Sequence, residues 1–245
     1  RQSGLAPEAL KKVLERLLEA GQVERVGDLL ADAAALSEWR DKLASTLQAF
    51  HRANPLVPGI SRAELKNVLP KTVTARVYDS LLARLTADGL VSGRGDLVAL
   101  AGFEPKPEPE ESRLLDRITT LYLEGGFTPP TVREVADLTG IKQAAAETLV
   151  NYLAWRGEVI RLDDQLLIGR DHFRQAGELL REHFRANKTL QAGEFRDKLG
   201  ASRKFVLPLL ETFDRMKWTR RLGDERVPWR LDLGSGEVET DGRGN

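Results

Sequence analysis

The chain has 245 residues, with 37 Lys plus Arg balanced by 37 Asp plus Glu, 41% hydrophobic residues and no cysteine. This composition is ordinary for a globular chain and excludes disulfide frameworks, cysteine-ligated zinc and thiol catalysis; zero net charge argues against a protein coated in nucleic acid along its whole length. No run of eighteen apolar residues and no charged-then-apolar leader is read, so no membrane partner is expected and a cytoplasmic location fits.

In chain order, the first element is a helix over roughly Pro7 to Ala20, followed by a hairpin, GQVERVGDLL, from Gly21. Next come SEWRDKLASTLQAFHRA, SRAELKNVLP and TARVYDSLLARLTADG, three helical segments, and a second hairpin, GLVSGRGDLV, from Gly89. The stretch GFEPKPEPEE, Gly102 to Glu111, alternates proline with acids and predicts an extended, stiff spacer. Beyond it the pattern repeats with SRLLDRITTLYLEGG, TVREVADLTG, KQAAAETLVNYLAWRG and the hairpin GEVIRLDDQLL from Gly157. A last copy runs through RDHFRQAGELLREHFRA, QAGEFRDKLG, SRKFVLPLLETFDRMK and the hairpin KWTRRLGDERV from Lys217. The hairpins start 68, 68 and 60 residues apart, each with Gly-Asp or Asp-Asp between alternating apolar residues, a turn signal.

Capping boxes at Ser61 with Glu64 and at Thr131 with Glu134 mark the start of the middle helix, and Gln191 with Glu194 stands in the same frame. Three helices followed by a β-hairpin make a winged helix. The expected architecture is mainly α (α+β), a tandem of such domains. Winged helix 1 covers 1–36 and lacks its first two helices, as in a fragment; winged helix 2 covers 37–101, a linker 102–111, winged helix 3 112–169 and winged helix 4 170–231. A glycine-rich acidic tail, 232–245, is expected to have little order.

The search for catalytic motifs is negative. The sequence holds no G-x-x-x-x-G-K-[ST] loop, G-x-S-x-G elbow or H-E-x-x-H motif. His172 and His183 lie eleven apart on one helix, wider than ligand spacing needs, and read as solvated or packing residues. The pairs Glu110-Glu111 and Asp163-Asp164 sit in a linker and a turn and receive no acid–base role. The charge, however, is not evenly spread: residues 170–230 hold 15 Lys plus Arg against 9 Asp plus Glu, or +6, leaving −6 for the rest.

That excess concentrates in Ser202 to Arg226. Phe205, Val206, Leu209, Leu210, Phe213 and Met216 form one helical stripe, while Arg203, Lys204, Arg215, Lys217, Arg220, Arg221 and Arg226 are left for a polyanion. Ser202 is placed to cap the helix, so a hydroxyl, two cations and the positive helix end converge there. Pro208 predicts either a kink or a later helix start. The alternative for the charges is internal pairing with Glu211, Asp214, Asp224 and Glu225. The third helices of the second and third units open with KTVTARVYD and IKQAAAETL, poorer phosphate sites.

The segment from Asn187 to Val227, with SRK at Ser202, PLLE at Pro208, FDR at Phe213 and GD-x-R at Gly223, resembles the last winged helix of bacterial selenocysteine-specific translation elongation factors. Trp218 is bulkier than that pattern leads one to expect. The resemblance implies that this module binds an mRNA stem-loop marking a UGA codon, and that the preceding modules form an arm toward a GTP-binding body. It implies RNA-facing roles for Ser202, Arg203, Lys204, Arg220, Arg221 and Arg226, with Lys188, Lys198 and Arg215 as weaker members. GTP, magnesium, ribosome and selenocysteyl-tRNA would belong to the body, leaving a monomeric, non-enzymatic chain without a cofactor. The competing readings are a DNA-binding transcriptional regulator and a protein-interaction scaffold.

Overall fold

The computed structural model describes residues 7–27 and 29–231, within which the chain forms ten α-helices and ten short strands. The tail read at 232–245 lies outside the described residues. The order is that of tandem winged-helix domains, mainly helical with small antiparallel sheets, and the chain divides into two compact units between Lys106 and Pro107. No helix among the described residues is long and apolar enough to cross a membrane.

The first unit opens with α1 (Pro7–Glu19) and the hairpin of β1 (Val23–Val26) and β2 (Leu29–Asp32). Asp32 ends β2 and also caps α2 (Ala33–Ala53), its carboxylate accepting the Ala35 N–H at 2.9 Å. The boundary expected after residue 36 therefore falls inside α2, because Asp32 is a strong N-cap and the three alanines behind it are strong helix formers. The unit continues through β3 (Ile60–Ser61), α3 (Arg62–Lys66), α4 (Ala75–Ala87), β4 (Val91–Arg94) and β5 (Leu97–Leu100).

The second unit contains two copies of the pattern. The first is α5 (Pro109–Gly125), α6 (Val132–Thr139), α7 (Gln143–Trp155), β6 (Val159–Arg161) and β7 (Leu167–Gly169). The second is α8 (Arg170–Ala186), β8 (Leu190–Gln191), α9 (Ala192–Leu199), α10 (Arg203–Arg215), β9 (Thr219–Leu222) and β10 (Glu225–Pro228). Helix α5 starts inside the segment expected to be spacer. Pro109 is its first residue, Glu110 and Glu111 lie in the first turn, where acids suit the helix dipole, and Glu111 accepts the Glu108 N–H at 2.8 Å. Within the expected spacer, residues 102–108 precede the helix and carry no helix or strand.

Two sheets hold a strand beyond the expected hairpin. Ile60 and Ser61 pair with Val98 and Leu97, and Leu190 and Gln191 pair with Arg226 and Glu225, giving orders β3-β5-β4 and β8-β10-β9. The corresponding position before the Thr131 cap is Pro130, which has no N–H to give the ladder, and that sheet stops at β6 and β7.

All four hairpins are entered alike. The residue after the helix C-cap takes a positive φ, at Gly21 (65°), Gly89 (70°), Gly157 (70°) and Lys217 (62°). The next N–H then reaches back into the helix, from Gln22 to Leu17, Leu90 to Leu85, Glu158 to Leu153 and Trp218 to Phe213, each at 2.9 Å. Lys217 departs from the series, and a left-handed L-residue there costs about 1–2 kcal/mol. Trp218, the bulky wing residue, belongs to this closure: it stacks on Phe213 at 5.1 Å between centroids. A Cβ on Gly177 would lie 3.0 Å from the Trp218 ring, so the glycine in α8 is what admits the tryptophan.

Each compact unit is knit by a hairpin laid on the third helix of the next module. In the first, Val26 shares a core with Tyr78, Leu81, Leu82 and Leu85 of α4, and Arg84 meets Glu24 at 2.6 Å. In the second, Leu162, Leu166 and Ile168 at the β6–β7 hairpin join Leu180, Phe195, Leu209 and Phe213. The core therefore runs across residues 169 and 170.

His51 closes the end of α2 as a buried acceptor. Its Nε2 accepts the Leu100 N–H at 3.2 Å and its ring stacks on Phe103 at 3.5 Å between centroids. An accepting Nε2 carries no proton, and burial lowers the pKa from its usual 6.5. The unfolded chain then binds the proton first, so stability is full above about pH 6.5 and falls as pH drops below it, by at most about 1.4 kcal/mol per pH unit. Thermal melts of the chain and of His51→Gln between pH 7.5 and 5 should show the loss in the parent and a flatter dependence in the variant.

Candidate nucleic-acid interface

Helix α10 is built around a buried stripe, with Val206, Leu209, Leu210 and Phe213 each no more than 2% exposed. It runs unbroken from Arg203 through Pro208, so Arg203 and Lys204 are its first helical residues rather than part of the preceding turn. Both are exposed, as are Ser202, Lys188 in the loop before β8 and Lys198 in the last turn of α9. Ser202 holds the N-cap position through its backbone, its carbonyl accepting the Phe205 and Val206 N–H groups at 3.1 Å each, while its hydroxyl makes no capping bond.

Lys204 is shared with the neighbouring module. Its ammonium stands 5.3 Å from the Phe205 ring centroid, at a cleft lined also by Glu124, Glu134, Pro130 and Leu138. The Glu134 carboxyl lies below the usual carboxylate range chiefly because the Thr131 N–H and hydroxyl donate to it, with the Lys204 charge a smaller contribution.

Two expected RNA contacts bond to groups of the protein itself, Arg226 from a buried position and Arg215 from an exposed one. Arg226 is 3% exposed, and its Nε donates to Asp214 Oδ2 at 3.0 Å, while Asp214 Oδ1 accepts from the Thr219 hydroxyl at 2.5 Å. The carboxylate thus ties the end of α10 to both strands of the wing. Arg226 sits opposite Arg221 and Leu190 in register, and Leu190 is fully buried, so position 226 faces the core. Arg215 donates to the Leu162 carbonyl and to Thr212 Oγ1, both at 3.0 Å, and so serves the joint with the preceding hairpin. The internal-pairing alternative thus describes Arg226, and Arg215 finds protein oxygens.

Arg220 and Arg221 remain exposed on β9, on opposite faces of the strand. Arg221 shares the core-side face but lies toward the wing tip; its Nε donates to the Gly223 carbonyl at 2.9 Å, and Asp224 is 3.9 Å away. The wing therefore offers a cation on each of its two faces.

Sequence reading passed over Trp229 and Arg230, which follow β10. Trp229 is 50% exposed, with the Arg230 guanidinium 5.9 Å from its ring centroid. An isolated tryptophan after a strand reads as core; the available signal was that Trp218 already fills that core. His183 is buried with Nε2 2.7 Å from the Thr189 carbonyl, and no group of three or more His, Asp or Glu side chains among the described residues is placed to hold a metal.

The contrast between buried and exposed arginines has a stability signature. Arg226→Ala strands Asp214 and should destabilise the second unit by about 2–4 kcal/mol, somewhat less than for a fully buried pair because Asp214 keeps some solvent contact. Arg203→Ala should stay within about 0.5 kcal/mol of the parent. Urea unfolding followed by circular dichroism measures both.

Residues 44–100 and 182–227 each match a family model described as elongation factor SelB, winged helix. The chain is 27% identical over 180 residues to a selenocysteine-specific elongation factor of Desulfomicrobium baculatum, covering 74% of this chain and 28% of that protein. It is 25% identical over 214 residues to the selenocysteine-specific elongation factor of Escherichia coli (strain K12), covering 87% of this chain and 34% of that protein. It thus spans well under half the length of these curated relatives. Among solved structures, the mRNA-binding domain of elongation factor SelB from E. coli in complex with SECIS RNA aligns with a TM-score of 0.46 at 25% identity, covering 50% of this chain and 99% of that one. A bacterial selenocysteine-specific elongation factor EF-Sec aligns with a TM-score of 0.46 at 17% identity, covering 85% of this chain and 32% of that one. The segments at 44–100 and 182–227 are thus similar to winged-helix domains of elongation factor SelB, the second being the stretch in which the residues from Asn187 to Val227 led us to expect that likeness.

Proposed function

We propose that this chain is the mRNA-binding end of a selenocysteine-specific elongation factor and that its fourth winged helix grips an mRNA stem-loop, recruiting the factor for UGA recoding. The observation that carries this reading is the coincidence of a SelB winged-helix match with exposed cations at the start of α10, Arg203 and Lys204, and on the wing, Arg220 and Arg221. In an A-form stem the bases lie in a deep, narrow groove, so a protein holds it by its phosphates and takes sequence from unpaired bases. Short clusters of exposed cations on a helix start and a hairpin suit that task. Lys188 and Lys198 extend the set, whereas Arg226 and Arg215 act by holding the wing and α10 in place.

The other winged helices connect this module to a body that lies outside these residues. GTP, magnesium, the ribosome and selenocysteyl-tRNA would be engaged there, in the cytoplasm, by a monomeric factor. The residues present do not fit GTP or its magnesium, since the sequence has no G-x-x-x-x-G-K-[ST] loop.

Titration of a labelled bulged RNA stem-loop tests the reading. Arg203→Ala and Arg221→Ala should each weaken binding about tenfold and flatten the salt dependence, while Lys71→Ala in the first unit leaves both unchanged. Residues 107–245 should bind as the full chain does; residues 170–245 should not, because they lack Leu162, Leu166 and Ile168 of the shared core. Tighter binding to duplex DNA than to the stem-loop at matched salt would favour a DNA-binding regulator, and unchanged affinity in both arginine variants would remove the proposed surface.

A further inference from the structure

We infer that Trp229, Arg230 and Lys217 form a second RNA contact at the base of the fourth unit's wing, where an unpaired nucleobase stacks on the indole and the two cations meet the flanking phosphates. This rests on the reading that the unit binds RNA, and adds to it a site away from the wing tip.

The three residues are held together by backbone. Past the end of β10 two further backbone bonds hold the chain, the Trp229 N–H donating to the Trp218 carbonyl and the Arg230 N–H to the Lys217 carbonyl, both at 2.9 Å. Trp229 is therefore tied by its backbone to Trp218 yet is 50% exposed, in contrast to Trp218, which is stacked into the core on Phe213. Arg230 stands 5.9 Å from the Trp229 ring centroid. Lys217 supplies an exposed cation from a left-handed conformation that the other three hairpins give to glycine. Backbone strain of this kind persists where the side chain is needed for something other than folding. A half-exposed indole with cations beside it is an arrangement by which proteins take unpaired bases, since every base has a face to stack and a backbone phosphate beside it. A fully paired stem keeps its bases stacked inside, so the platform would act on a bulge or loop nucleotide.

The full chain is titrated with two RNAs, a stem-loop with an unpaired nucleotide and the same stem fully paired. Trp229→Leu should weaken binding of the first about tenfold without altering its salt slope, and Trp229→Phe should keep affinity within about threefold. For the paired stem both variants should match the parent. Lys217→Gly should raise the melting temperature yet weaken binding and lower the salt slope, a combination that a merely structural lysine would not give. If Trp229→Leu and Lys217→Gly bind within twofold of the parent while Arg203→Ala loses tenfold, this contact is overturned and the stem-loop reading stands. Equal loss on both RNAs for Trp229→Leu overturns base stacking. If the parent binds neither RNA, the functional reading itself falls.

Discussion

The Leu162 carbonyl accepts from both Thr212 and Arg215 of α10, at 3.3 and 3.0 Å, while its side chain lies in the core beside Leu209. A recognition helix in a small domain has few neighbours to fix its angle, and here the hairpin of the preceding module supplies them. Because Leu166 and Ile168 enter the same core, the third and fourth winged helices bury their apolar surface jointly. Val26 and Glu24 perform the comparable task for α4 in the first unit. The repeated module is thus completed by its predecessor, and the hairpin that would serve as a free wing in an isolated domain becomes part of the next domain's support.

That arrangement sorts the cations by position. Where α10 meets the hairpin before it, Arg215 bonds a carbonyl while staying exposed; where α10 meets its own wing, Arg226 is buried against Asp214. Outward cations stand at the start of the helix (Arg203, Lys204), along β9 (Arg220, Arg221) and just past the helix end and β10 (Lys217, Arg230). The consequence for recognition is an interface of small separate contacts, each made by one or two side chains.

Much of this was legible in the sequence, and the parts that were not fail for identifiable reasons. The fourfold recurrence of hairpins from Gly21, Gly89, Gly157 and Lys217 revealed the modules because a Gly-Asp or Asp-Asp turn between alternating apolar residues is a local signal that the sequence displays. The stripe from Val206 to Phe213 gave the buried face of α10 by periodicity alone. The third strands were missed because two residues carry no period, and Pro130 explains their absence from one module only once the pairing of Ile60 and Leu190 is known. The burial of Arg226 was hidden for a different reason: alternation says that Arg221 and Arg226 share a face, but which of the two lies over the core depends on Leu190, a residue 36 positions upstream brought alongside by the fold. Trp229 escaped notice because exposure is a property of what else fills the space, and Trp218 had filled it.

β7 ends at Gly169 and α8 begins at Arg170, with no residue between them. A helix advances about 100° of rotation per residue. One amino acid gained or lost at that junction would turn Phe173, Ala176 and Leu180 out of phase with the interior they now fill. The joint can absorb changes of side chain, but its length is a fixed angular setting, and the direction in which α10 and its wing point is decided by that count of residues.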